Sequence, residues 1–118
     1  MGIIFKKSLE QKEQIKFVQF VRTFMPHLLI ASIPNGSGTS AANRLKLVHE
    51  GLLAGMPDII VIDISRILFL EFKRPDGKGR LSDKQDSIIR WINDLGHHAA
   101  VVESDEQARK VLAKWLDS

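Results

Sequence analysis

The sequence contains no cysteine, and it has no apolar run near the roughly 20 residues that a membrane-spanning helix requires. Because thiols are absent, disulfide bonds, thiolate zinc sites and cysteine nucleophiles are all excluded. The three apolar residues that follow Gly2 are too few for the apolar region of a signal peptide. These absences predict a protein of the cytoplasm with no membrane partner.

What the sequence does have is the composition of one globular domain. Hydrophobic residues make up 44% of its 118 positions, and charged residues make up 26%. A chain of this length buries roughly two thirds of its unfolded surface, so it needs neither a metal nor a disulfide in order to fold. We therefore predict a single domain over residues 1–118.

Positive charge is concentrated in one short segment. From Lys73 to Arg80 there are four basic residues and one acidic residue, a balance of +3 that equals the net charge of the whole chain. A basic loop of this kind is often only solvated, but phosphate backbones are attracted to the same feature. Arg74, Lys78 and Arg80 are therefore the candidate contacts for nucleic acid.

Three Ser-x-x-Gln patterns predict the beginnings of helices, because such capping boxes satisfy the free N–H groups of a first helical turn. The pairs are Ser8 with Gln11, Ser82 with Gln85, and Ser104 with Gln107. The first helix is expected to end before Pro26 and the second before Gly96, and a further short helix is expected over residues 39–53. Trp91 and Trp115 fall on the apolar faces of their helices and are expected to lie in the core.

Four segments between these helices are too short and too β-branched to be helical, and each is predicted to be a strand. They cover residues 28–33, 59–64, 67–72 and 99–102. Only Ser65 and Arg66 separate the second segment from the third, which indicates an antiparallel hairpin. The fourth returns through a helix, which indicates a parallel neighbour. The order α-β-α-β-β-α-β-α predicts an α/β fold, with a small mixed sheet flanked by helices.

The third strand ends on two charged side chains. Side chains alternate along a strand, so Glu71 and Lys73 leave the sheet on one face while Phe72 points to the other. Asp58 stands at the start of the preceding strand, and in an antiparallel hairpin that start lies beside the end of the next strand. We therefore expect Asp58 to face Glu71 across the ladder.

Two converging carboxylates repel each other, and a hard divalent cation such as Mg2+ is the usual remedy because it takes oxygen ligands. Lys73 could then orient or deprotonate a metal-polarised water, or stabilise a phosphate in its transition state. These groups meet the needs of phosphodiester hydrolysis. The alternative is a structural salt bridge at the sheet edge, in which Lys73 pairs with Glu71 or Asp58.

The pattern Pro57-Asp58 followed by Glu71-x-Lys73 is the signature of the PD-(D/E)xK nuclease superfamily, and its flanking residues narrow the resemblance. Residues 55–58, 68–74, 79–82 and Gln85 resemble the virus-type replication-repair nuclease (VRR-NUC) domain in its stand-alone phage or bacterial form. The resemblance implies a restriction-endonuclease-like core and a metal-dependent DNA endonuclease. It also implies a bacterial or phage-infected host cell as the setting.

The same resemblance implies a role for individual residues. Asp58 and Glu71 would bind Mg2+ or Mn2+ with help from the Phe72 carbonyl, and Lys73 would be catalytic. Gln85, in the first turn of its helix, would be an additional active-site residue.

Two of the implied roles have competing interpretations. Gln85 is also the capping-box partner of Ser82, and one side chain seldom performs both functions. The first helix would contribute an acidic catalytic residue, for which Glu10 is our assignment and Glu13 the alternative. A carboxylate at this position also complements the helix dipole without any catalytic role.

Small phage proteins of this family look like Holliday-junction resolvases, in which two sites of a homodimer cut opposed strands of a four-way junction. We therefore predict branched DNA as the substrate and a second copy of the chain as a partner. Ile3, Ile4 and Phe5, or a face of the first helix, could form the dimer contact. The alternatives are a non-catalytic module that binds branched DNA, and a metal-free enzyme or protein-interaction domain.

Overall fold

The computed structural model describes residues 8–118, so Ile3, Ile4 and Phe5 lie outside the described part of the chain. Helices and strands follow one another in the predicted order within it. The helices are α1 (Leu9–Phe24), α2 (Ala41–His49), α3 (Asp83–Asp94) and α4 (Asp105–Leu116). The strands are β1 (Leu29–Ser32), β2 (Ile59–Ile62), β3 (Ile67–Phe72) and β4 (His98–Val102). None of the helices described combines the length and the apolar character needed to cross a membrane.

A serine caps the N-terminus of each of these four helices, and two of the three predicted capping boxes form completely, at α1 and α3. At α4 only half of the box forms. Ser104 Oγ accepts a hydrogen bond from the Gln107 N–H at 3.1 Å, but Gln107 Oε1 accepts from the N–H of Glu103 at 2.8 Å. The glutamine therefore reaches one residue further back than a capping box requires.

The strands form one mixed sheet in the order β1-β2-β3-β4. The β1–β2 and β2–β3 pairs are antiparallel, and the β3–β4 pair is parallel because α3 carries the chain back across the sheet. The predicted hairpin and the predicted parallel neighbour are both present. The end of β2 where the chain enters and the end of β3 where it leaves thus lie side by side.

The sheet separates two apolar layers. Side chains from α1 and α4 pack on one face in a continuous core, which includes Phe17, Val21, Ile59, Val61, Leu68, Leu70, Phe72, Val102, Leu112 and Trp115. On the other face α3 packs through Ile88 and Ile92, against Ala99 and the partly buried Phe69. This second layer is smaller, and it leaves room beside the first turn of α3 for polar groups.

Two expectations about the helices are wrong in detail. The helix expected over residues 39–53 is shorter, because the chain turns after His49 and Gly51 takes a φ of +115° that a right-handed helix cannot contain. Trp91 is 59% exposed instead of lying in the core, because α3 buries only its Ile88 and Ile92 stripe against the sheet. Trp115 is buried as expected.

Candidate active site

The hairpin register places Asp58 and Glu71 opposite each other. Ile59 pairs with Leu70, so the next position along the ladder brings Asp58 to Glu71. The Asp58 Oδ2 atom accepts a hydrogen bond from the Phe72 N–H at 2.8 Å, which holds this carboxylate over the end of β3. The expected meeting of the two acids is therefore present in the structure.

Pro57 ends the hydrogen-bonded ladder between β2 and β3, and it leaves the backbone carbonyl of Phe72 without a ladder partner. The N–H of Asp63 donates to the Arg66 carbonyl at 3.0 Å, so these two residues form a hydrogen-bonded pair. Hydrogen-bonded and non-hydrogen-bonded pairs alternate along an antiparallel ladder, so position 57 would form a hydrogen-bonded pair with Phe72. A proline has no N–H to donate, so the Phe72 carbonyl lacks the ladder donor that it would otherwise have. The backbone carbonyl of Phe72 thus faces the side of the strand on which Asp58 lies. Sequence reasoning missed this role of Pro57, although the hairpin register contains the signal.

Glu71 is the buried charged residue among those described, with only 4% of its surface exposed. Its Oε1 atom accepts a hydrogen bond from Gln85 Nε2 at 3.2 Å and lies 3.5 Å from Lys73 Nζ. Its Oε2 atom is buried and has no hydrogen-bond partner within residues 8–118. An unsatisfied buried carboxylate oxygen is costly, so this atom marks a place that a cation would stabilise.

Both carboxyl groups are easier to protonate than usual. Burial and the adjacent Asp58 raise the pKa of Glu71 to about 7, against the opposing effect of Lys73. Burial also raises the pKa of Asp58, although its hydrogen bond from Phe72 and the charge of Lys73 act in the other direction. Burial is the largest cause of both pKa shifts, because water solvates a buried charge poorly. The hydrogen bond between the two carboxyl groups raises the pKa of Glu71 and lowers that of Asp58.

Gln85 makes the contacts of a capping box and also contacts two charged side chains of the cleft. Its Oε1 atom accepts a hydrogen bond from the Ser82 N–H at 3.0 Å and another from Lys73 Nζ at 2.8 Å. The capping box fixes the orientation of the amide, because the oxygen must face the Ser82 N–H. The amide nitrogen is then free to donate to Glu71. One side chain therefore ties the N-terminus of α3 to the charged end of β3.

Of the two candidate acids on α1, Glu10 lines the cleft that contains the facing carboxylates. Glu13 is engaged elsewhere. Its Oε2 atom lies 3.0 Å from Lys16 Nζ, and its Oε1 atom accepts from the Asp105 N–H at 3.1 Å, at the start of α4. The bonds from Lys16 and Asp105 lower the pKa of Glu13. The geometry thus favours Glu10 as the acid that α1 brings to the site.

These groups line one cleft of about 540 Å3. The end of the hairpin and α3 supply Asp58, Glu71, Lys73 and Gln85, while α1 and the loop after β1 supply Glu10, Gln14, Asn35 and Ser37. The loop reaches the cleft because the Ile33 N–H bonds to the Asp58 carbonyl at 2.8 Å. Sequence reasoning did not predict that Asn35 and Ser37 line this cleft, since their position depends on the pairing of β1 with β2.

The oxygen donors of this cleft fit a hard divalent cation. Two carboxylates and one backbone carbonyl are ligands that Mg2+ and Mn2+ accept, and such ions keep water in their remaining positions. Within the described residues, no group of three or more His, Cys, Asp or Glu could hold a metal ion, so Glu10 does not complete a three-acid cage. The fit rests on Asp58, on the unpartnered Oε2 of Glu71 and on the Phe72 carbonyl.

The basic loop beside the cleft is organised around Asp76. This carboxylate lies 2.7 Å from Arg74 Nη2 and accepts a hydrogen bond from the Lys78 N–H at 3.0 Å. Asp76 therefore partly neutralises Arg74 while it shapes the loop. Lys78 and Arg80 are exposed in this loop, which follows Lys73 in the chain. Their assignment as DNA contacts stays a prediction.

Comparisons with known proteins identify the fold and the family. The family model of the VRR-NUC domain matches residues 4–106, which confirms the resemblance read from the sequence. A solved structure titled VRR_NUC domain protein has the same fold, with a TM-score of 0.75 at 22% sequence identity. That likeness covers 96% of this chain and 92% of the other. A comparison with curated proteins found no match.

Replacing Glu71 with glutamine is expected to stabilise the metal-free protein at pH 8 but not at pH 4.5. Because the pKa is raised from 4.5 to about 7 on folding, the folded state retains a proton that the unfolded state has lost, and stability falls as the pH rises through this window. At pH 8 the gain should be about 1–3 kcal/mol in the free energy of unfolding, measured by urea denaturation in EDTA.

The matched control for this measurement is Glu106→Gln, which changes an exposed glutamate of α4. This control should leave the pH dependence of the wild type unaltered. If Glu71→Gln followed the same curve as the wild type from pH 4.5 to pH 8, the burial cost assigned to Glu71 would be wrong.

Proposed function

The chain belongs to the VRR-NUC domain family of nuclease-fold, DNA-processing domains, and from that premise we propose that it is a metal-dependent endonuclease. Its reaction is the hydrolysis of phosphodiester bonds in DNA, with selectivity for branched structures such as the four-way junction. The observation that carries this proposal is the convergence of Asp58, Glu71 and Lys73 at one end of the hairpin, where Glu71 Oε2 has no partner among the described residues. A cytoplasmic location in a bacterium or an infected host cell goes with this function.

Asp58, Glu71 and the Phe72 carbonyl are the groups that would hold Mg2+ or Mn2+. When bound, such an ion supplies Lewis acidity and a water of lowered pKa. Asp58 is held in place by the Phe72 N–H, and Glu71 by the Gln85 amide, so both carboxylates are oriented before any ligand arrives. Such prior orientation lowers the cost of assembling the reacting groups.

Lys73 is the catalytic residue of this proposal. Its ammonium group is held 2.8 Å from Gln85 Oε1 and 3.5 Å from Glu71 Oε1, on the floor of the cleft. From there it can orient the attacking water or stabilise the negative charge that develops on the phosphate. Glu10 lines the same cleft, where it can accept a hydrogen bond from a water molecule.

A purely structural salt bridge between Lys73 and Glu71 explains less of the geometry than a catalytic site does. Lys73 approaches only one oxygen of Glu71, and a buried ion pair with an unsatisfied oxygen is destabilising relative to apolar packing. A non-catalytic DNA-binding module would gain nothing from this cost. Catalysis is therefore the better account of why three polar groups converge here.

A second copy of the chain is the partner that this function requires, because paired cuts across a junction need two sites related by a two-fold axis. We assign the dimer contact to the α2–α3 surface, a groove between the two helices lined by Val48, Leu53 and Trp91. We extend this surface by one helical turn on each side, to Leu45 on α2 and Leu95 just after α3. Each of these side chains is at least 50% exposed, and α2 itself has no buried residue. An apolar surface of this kind is typical of a protein interface.

The charges beside the α2–α3 surface favour a copy of the same chain as the occupant. Helix α2 carries Arg44 and Lys46 and no acidic residue. Helix α3 carries three aspartates against Lys84 and Arg90, a net charge of −1, and Arg90 already pairs with Asp86 at 3.0 Å. A two-fold contact that places α2 of one copy on α3 of the other would bring these opposite charges together twice.

The first prediction of this proposal concerns Lys73. With Mg2+ or Mn2+ present, the wild type should nick a four-way junction, and Lys73→Ala should lower the cleavage rate by about 10²–10³-fold, as expected for loss of a group that stabilises charge developing in the transition state. The measurement is cleavage of end-labelled junction and linear duplex DNA of the same sequence. Lys114→Ala, a change at an exposed lysine of α4, is the charge-matched control and should cleave like the wild type.

Two outcomes of that assay would count against the enzyme. Tight junction binding without cleavage in any metal would support the non-catalytic module. Cleavage that persists in EDTA would overturn the metal requirement.

The second prediction concerns the oligomeric state. Trp91→Lys should convert the wild-type dimer to a monomer at micromolar concentration, because a charge would replace the largest exposed apolar side chain of the α2–α3 surface. Light scattering after size-exclusion chromatography measures this mass. Ile64→Lys is the control, since Ile64 is 97% exposed in the hairpin turn, outside that surface. A monomeric wild type, or a dimer that survives Trp91→Lys, would contradict the assignment.

A further inference from the structure

Gly55 lies where the segment before Asp58 meets the first turn of α3. Its φ of +95° falls in the left-handed region that favours glycine. A Cβ atom added here would lie 2.9 Å from both the carbonyl carbon and the carbonyl oxygen of Lys84, and 3.1 Å from the backbone nitrogen of Gln85. These are backbone atoms of a helical turn, which cannot rotate away as a flexible side chain does.

The close approach is specific to this glycine and does not follow from its φ alone. Gly96, just beyond α3, has a nearly equal φ of +92°, yet an added Cβ would meet nothing within 4 Å. Any side chain at position 55 would therefore force this segment and α3 apart. Because Asp58 is held by the Phe72 N–H at the end of the β2–β3 ladder, the displacement falls on the first turn of α3. The same contact sets the position of the helical turn that carries Gln85.

The hydrogen bonds of the Gln85 amide would be broken by even a small displacement of the first turn of α3. Its three hydrogen bonds, to Ser82, Lys73 and Glu71, are between 2.8 and 3.2 Å long and run in different directions. Because Ser82 belongs to the same helix end, a shift of α3 moves the amide and its cap together, away from Lys73 and Glu71. A misplacement of about 1 Å near a reacting group can cost about 10²-fold in rate.

We infer that Gly55 is a positioning residue of the active site: its lack of a side chain lets the Asp58 segment fix the first turn of α3, and so places the Gln85 amide on Lys73 and Glu71. The catalytic consequence of this inference rests on the proposed nuclease function. The geometric consequence does not, because the contact and the three hydrogen bonds exist in the protein without DNA.

The test is a double-mutant cycle between Gly55→Ala and Gln85→Ala, with cleavage of junction DNA as the readout. Each single change should lower kcat by about 10–100-fold with little effect on KM, the range found when groups that orient active-site ligands are removed. In the Gln85→Ala background, Gly55→Ala should cause almost no further loss, because the group that it positions is already missing. Gly96→Ala imposes similar backbone strain without the close contact and should leave kcat unchanged.

A second readout needs neither metal nor activity. In metal-free protein, the side-chain amide resonance of Gln85 should shift in Gly55→Ala and stay in place in Gly96→Ala. Additive losses in the cycle, an equal loss of kcat in Gly96→Ala, or an unmoved amide resonance would each overturn the inference. If Gly55→Ala fails to fold, Gly55→Asn serves in its place, because asparagine tolerates a positive φ while it keeps the Cβ.

Failure of this inference and failure of the proposed function have different signatures. If the wild type cleaves no DNA in any metal, the proposed function is wrong, and the amide resonance alone decides the positioning role. If the wild type cleaves DNA but the cycle is additive, the function stands and Gly55 has no positioning role.

Discussion

The burial of the Glu71 carboxylate at the end of β3 is the constraint on which the rest of the site depends. A carboxylate that is 4% exposed and keeps one oxygen unpartnered among the described residues is destabilising by itself. The surrounding elements reduce that cost only in part. Lys73 and Gln85 approach one oxygen, and Asp58 adds a second negative charge. The uncompensated negative charge at this end of the sheet therefore favours the binding of a cation.

Strands β2 and β3 and helix α3 produce this arrangement through their backbone geometry. The antiparallel pairing of β2 with β3 sets Asp58 opposite Glu71, and Pro57 withholds the N–H that would have engaged the Phe72 carbonyl. The parallel return through α3 brings a helix N-terminus to the same edge, where its cap orients Gln85. The domain therefore places its polar groups with hydrogen bonds that also form the fold, so stability and chemistry depend on the same contacts.

Local signals in the sequence predicted the fold and part of the site. The Ser-x-x-Gln spacing marked α1 and α3, and the two-residue gap at Ser65 predicted the hairpin, which in turn predicted that Asp58 would meet Glu71. Contacts between elements that are distant in the sequence could not be predicted from it. The choice between Glu10 and Glu13 depends on where α4 begins, and the contacts of Gln85 with Lys73 and Glu71 depend on how closely α3 approaches β3. The prediction that Trp91 lies in the core was wrong, because contact with the sheet, and not the apolar pattern of α3, decides which of its side chains are buried.

The most direct test of this account is the anomalous scattering of Mn2+ in crystals of the wild-type protein. We predict one peak in the cleft, about 2 Å from Glu71 Oε2 and within bonding distance of Asp58 and the Phe72 carbonyl. The peak should be absent from crystals of Glu71→Gln. An empty cleft at millimolar Mn2+, with the Lys73 ammonium lying against both oxygens of Glu71, would contradict the account and leave the cluster as a structural ion pair.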